Sequence, residues 1–142
     1  MAAKVINNAV AHAVMVVLTE AGALAAANGV DGAALAELLA EADAGLVRPL
    51  THRYAERILT GDFDGGMPTE AAREDSVLAL VLAQSGGVPL FAMQASHTVY
   101  EMAVGHGLDR LDYSSIARLW EQWTGLSLRS PAPVEHGPSE AT

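Results

Sequence analysis

Residues 2–28 read AAKVINNAVAHAVMVVLTEAGALAAAN. Alanine, leucine and methionine favour helix, no proline interrupts the stretch, and Gly22 is its one glycine. Val10, Val14, Met15, Val17, Leu18 and Leu24 fall on all sides of a 3.6-residue period. That pattern predicts a long central helix, buried by the rest of the fold or by a partner subunit. Residues 9–30 also come close to a membrane span. His12, Thr19, Glu20 and Asn28 interrupt the run, and a carboxylate is costly at a bilayer centre. The expectation is a helix buried by protein, not by lipid.

Helix signals continue outward from this segment. Gly29 is placed to end it, and Asp31 to cap a second helix over 33–42 with Leu35, Leu38 and Leu39 inward. Gly45 breaks that helix. A third is expected over 49–59, with Leu50, Tyr54, Ile58 and Leu59 inward. The turn-rich GDFDGGMP at 61–68 follows. A fourth helix from 69 or 70 to 84 stops at Ser85-Gly86-Gly87. Pro89 suits the first turn of a fifth, 90–106. Asp112 opens a last helix, 114–124, with Ile116, Leu119, Trp120 and Trp123 inward. No convincing strand and no repeat is seen. The fold class is therefore all-α, about six helices, with a domain at 1–126 and a flexible, proline-containing tail at 127–142.

Composition narrows the functions. The chain has 142 residues, 51% hydrophobic and 5% aromatic, the profile of helices packed closely through small residues. A net charge of −9 with eight Lys and Arg argues against nucleic acid and against an anionic membrane surface. No cysteine is present, which removes disulfides, thiolate metal sites and cysteine nucleophiles. With no secretory signal visible, the expected location is cytoplasmic. Glycine-rich phosphate loops and the Gly-x-Ser-x-Gly elbow are missing. His97 and Glu101 stand one helical turn apart, which reads as an ion pair; no metal is expected. Arg48, Arg53 and Arg57 read as a solvated basic edge opposite Glu56, with an anion site as the sharper alternative.

Lys4-Val5-Ile6-Asn7-Asn8 is poor helix-start chemistry. It resembles the Lys-x-x-Asn-Asn that opens the helical domain of the β-hydroxyacid dehydrogenases. That family includes 3-hydroxyisobutyrate dehydrogenase, tartronate semialdehyde reductase and 6-phosphogluconate dehydrogenase. The likeness runs on, in order, through Thr19-Glu20-Ala21, Asn28-Gly29-Val30-Asp31, Gly61-Asp62-Phe63, Asp75-Ser76-Val77-Leu78-Ala79, Gly87-Val88-Pro89-Leu90 and Asp112-Tyr113-Ser114-Ser115. It covers about residues 2–124.

The resemblance implies a helical, 6-phosphogluconate dehydrogenase C-terminal-like domain. In it Lys4 is the catalytic acid–base residue, and Asn8, with Asn7 adjoining, binds substrate. Residues 4 and 8 share a helix face, so both can touch one ligand. It also implies a homodimer through the first helix and a small hydroxy- or oxo-acid ligand. The family's dinucleotide-binding domain has no counterpart here, and Met1 stands just before the Lys, so the sequence is either a fragment or a domain standing alone. Glu74 replaces the family's cofactor-side Lys, with Arg73 a displaced substitute. No cofactor is therefore expected for this chain alone; NAD or NADP enters only with a separate Rossmann domain. The alternatives are a standalone non-redox enzyme working through Lys4 and Asn8 (proton transfer, isomerase, cyclase or decarboxylase type) and a non-catalytic dimeric binding module.

Overall fold

A computed structural model describes residues 1–130. Helix α1 spans Ala2–Ala27 and α2 spans Gly32–Ala40. A π-helix, Pro49–Ile58, follows, then α3 (Thr69–Gly86) and α4 (Ala92–Gly105). A 3-10 turn, Tyr113–Ile116, leads into α5, Ala117–Thr124. The molecule is all-α, with six helices and no strand among the described residues, apart from an isolated bridge between Pro68 and Asp112. Residues 131–142 of the expected tail lie outside the described residues.

The caps form as their chemistry dictates. Gly29, at φ 72°, lets Val30 N–H donate back to the Ala25 carbonyl and close α1. The Asp31 carboxylate accepts from Ala34 N–H at 3.2 Å and starts α2. Gly87, at φ 66°, ends α3 in the left-handed conformation. α3 and α4 pack as the central pair, and the 3-10 turn packs on both. Ala103, Leu108 and Leu119 form the small buried core, flanked by Val99, Leu111 and Ile116.

Several inward assignments change. α1 is expected to be buried by the rest of the fold or by a partner subunit; the described residues bury only its Glu20 and Ala25. Val5, Ile6, Val10, Met15 and Val16 are exposed, because α2, α3 and α4 reach only its C-terminal half. By length and composition α1 alone among the described helices could cross a membrane. Leu38 faces outward; Leu35 and Leu39 are half-buried. Leu50 and Tyr54 are exposed and Arg53 is buried instead. The π-winding, seen in Leu59 N–H donating to the Tyr54 carbonyl five residues back, lengthens the repeat and turns Arg53, Arg57 and Ile58 inward. Trp120 and Trp123 lie half open to solvent as an edge-to-face pair with centroids 5.1 Å apart. Ala117 and Leu119 are the buried residues of their helix.

Candidate functional site

Lys4, Asn7 and Asn8 all lie on the first two turns of α1, exposed, with no side-chain partner among the described residues. Lys4 and Asn8 sit one above the other; Asn7 is turned roughly 60° to the side. Met1 precedes the helix and contributes no side-chain cap. An ammonium and a carboxamide thus share one exposed face near the start of α1. That set suits a small carboxylate carrying an adjacent oxygen function. Farther along the same side of α1, Met15, Val16, Thr19, Glu20 and Ala23 line an apolar groove of about 400 Å³ with Pro89 and Phe91.

Glu20 closes the far end of that groove. Its carboxylate accepts from the backbone N–H groups of Phe91, of Ala92 at 2.8 Å and of Met93 at 3.0 Å. These are the open donors of the α4 N-terminus, so α1 supplies the cap that α4 lacks in its own sequence. Burial pushes the Glu20 carboxyl up, but the donations from Met93, Phe91 and Ala92 together outweigh it and hold the group below its usual range.

A second polar cluster pins the π-helix. Asp112 is fully buried and accepts from Met67 N–H at 3.1 Å and Ser114 N–H at 3.0 Å. Arg53 Nε lies 3.1 Å from the same carboxylate, an ion-pair distance without hydrogen-bond alignment, and Arg57 Nε lies 3.8 Å away. Arg53 also covers the Tyr113 ring at 5.1 Å. The expected solvated basic edge is therefore corrected: Asp112 draws two of its three arginines inward, and Arg48 stays outside with Asp43 at 3.7 Å. Burial, with Tyr113 and Asp112 adding, pushes the Tyr100 phenol up to about 12, so it stays protonated. Sequence reading took Asp112 only as a cap. Its hub role is hidden, because its partners come from residues 53, 57 and 67.

His97 and Glu101 form the expected pair, Nε2 to Oε1 at 3.3 Å. Arg73 joins the same oxygen at 3.2 Å, and Ser76 Oγ lies 2.7 Å from His97 Nδ1. No cluster of three metal-ligating side chains occurs among the described residues.

A family model described as the NAD-binding region of NADP-dependent 3-hydroxyisobutyrate dehydrogenase matches residues 1–120. The chain belongs to that family. It is 30% identical over 127 residues to 2-(hydroxymethyl)glutarate dehydrogenase of Eubacterium barkeri. That match covers 89% of this chain and 42% of the relative, so the chain spans about two fifths of the relative's length.

The matching family model links this region to a nicotinamide cofactor, and the described residues supply no dinucleotide cradle of the strand–glycine turn–helix kind. No strand leads through a glycine turn into a helix N-terminus. The α4 N-terminus already holds the Glu20 carboxylate, and the first turn of α3 carries Glu70. Arg73 is tied to Glu101, and Glu74 beside it is exposed and acidic.

Proposed function

We propose that the chain is the helical substrate-binding and subunit-pairing domain of a 3-hydroxyacid dehydrogenase that uses NAD or NADP. It works beside a dinucleotide-binding domain and is not a dehydrogenase alone. The observation that carries this reading is the pairing of Lys4 with Asn8 on one open face of a helix N-terminus, inside a chain that the family model matches from residue 1.

The Asn8 carboxamide, with Asn7 adjoining, fixes the hydroxyl- or oxo-bearing carbon. Lys4 Nζ meets that oxygen and moves its proton, receiving it as the hydroxyl is oxidised and returning it in the reverse direction. The substrate class is a small hydroxy or oxo acid. The exposed apolar surface of α1 supports pairing of two chains along this helix, which removes it from water and leaves no need for lipid. The acidic balance, −9, supports a protein that leaves nucleic acid alone, and the lack of cysteine suits a reducing compartment such as the cytoplasm.

The test joins this chain to the dinucleotide-binding domain of the Eubacterium barkeri relative and follows nicotinamide absorbance with small hydroxy acids. The joined protein is expected to turn over and the chain alone is not. Lys4→Met should lower the rate by about 10²–10⁴-fold with circular dichroism unchanged. Near-normal turnover by Lys4→Met would place the proton transfer elsewhere.

A further inference from the structure

Helix α1 ends on a reactive dipeptide. Asn28–Gly29 is the one Asn-Gly step among the 142 residues; the other asparagines, Asn7 and Asn8, precede an asparagine and an alanine. Gly29 stands there because the cap requires it: at φ 72° it holds a left-handed conformation that a side chain disfavours. The missing side chain also leaves its backbone nitrogen unshielded. Apart from its chain neighbours, no heavy atom lies within 4 Å of where a Cβ would sit. Asn28 is exposed, and its Nδ2 donates to the Leu24 carbonyl at 2.8 Å, so the carboxamide is itself part of the cap.

We infer that Asn28 is a site of spontaneous deamidation, and that the folded turn sets its rate. Gly29 N attacks Asn28 Cγ, the Cγ–Nδ2 bond breaks, and ammonia leaves with the proton that Gly29 N gave up. A five-membered succinimide remains, and water opens it. Cleavage between Cγ and Gly29 N gives aspartate in a normal backbone. Cleavage between the Asn28 carbonyl carbon and Gly29 N gives isoaspartate, whose main chain runs through Cβ and Cγ. Ring closure needs Gly29 N to swing alongside Cβ about the Asn28 Cα–C bond. At ψ 13° it nearly eclipses the Asn28 nitrogen instead. Gly29 N–H also donates to the Ala26 carbonyl at 3.3 Å, and Val30 N–H to that of Ala25 at 2.8 Å. Both bonds give way when the backbone turns, so the reaction runs through the opened turn.

The products act on α2. That helix buries no residue fully and packs chiefly on α1, so its seat depends on the turn at 28–31. Aspartate removes the Nδ2 donor and sets a carboxylate against the carbonyls that end α1. Isoaspartate adds a main-chain carbon, which moves Val30 from Ala25 and moves Asp31, whose carboxylate starts α2 on Ala34 N–H. Lys4 lies ~36 Å away along α1, so the change marks one helix and spares that corner.

The test holds the purified protein for weeks in mildly alkaline buffer, folded and in guanidinium chloride, and maps its peptides by mass spectrometry. The amide-to-acid mass gain should appear at Asn28 and not at Asn7 or Asn8, with isoaspartate exceeding aspartate. It should be slower in the folded protein by on the order of 10–100-fold, the cost of opening the cap. No mass gain at Asn28 in either condition overturns the site, and equal rates overturn control by the turn. Asn28→Gln keeps a carboxamide that can close only a larger ring, and should stay unmodified. In hydrogen exchange the aged protein should lose protection over 33–40 by on the order of 10-fold, with 93–103 unchanged. Full protection of α2 in aged protein overturns the effect assigned to that helix.

Discussion

Glu20 is a single side chain that joins two helices. Its carboxyl is held below its ordinary value of 4.5, with burial raising it and three backbone donations lowering it further. A depressed carboxylate contributes stability above the unfolded value, and that stability is lost as pH falls through the folded value. Melting temperature should therefore hold from neutrality to about pH 5 and drop below it. Glu20→Gln should flatten that drop and cost about 1–2 kcal/mol at neutral pH, as the loss of a helix cap does. A mutant whose melting profile follows the wild type at every pH would remove the carboxylate from this role. Asp112 poses the converse problem, one buried acid facing two arginines. Asp112→Asn leaves both cations underpaired and should cost about 3–5 kcal/mol in a urea melt.

Among the elements, α1 is divided. Its C-terminal half is held by α2, α3 and α4, and its N-terminal half is left exposed by the described residues. Isolated helices of about 12 residues are marginal in water, so the N-terminal half needs a second surface to stay wound. Hydrogen exchange should show amides 5–13 protected at high protein concentration and losing protection on dilution, while 18–27 stay protected. Equal protection in both halves at every concentration would contradict the division. The π-helix is a different case. Its Arg53 and Arg57, four residues apart, share the face that meets Asp112, and the wider winding brings Ile58 close to that face as well.

At the scale of the whole molecule, the small core of Ala103, Leu108 and Leu119 leaves much apolar area outside. Light scattering at micromolar concentration should give twice the mass of one chain; a clean single-chain mass would refute pairing. The helical class, the six-helix order and most helix ends were legible in the sequence, since period, caps and Gly or Pro breaks are local signals. Gly29, Asp31 and Gly87 act where local chemistry puts them. That Lys4 and Asn8 share a helix face was legible too, since residues four apart on a helix do so whatever surrounds them. The burial of each face was not legible. Leu38, Leu50, Tyr54, Trp120 and Trp123 have the composition of inward residues and face out, because burial depends on which neighbours arrive. Arg53 and Asp112 have the composition of surface residues and lie inside, because each supplies the charge the other needs away from water. A sequence states what a residue offers over a few positions along the chain. Which distant group accepts the offer is fixed only when residues 53 and 112, or 20 and 92, are folded to within 4 Å of each other.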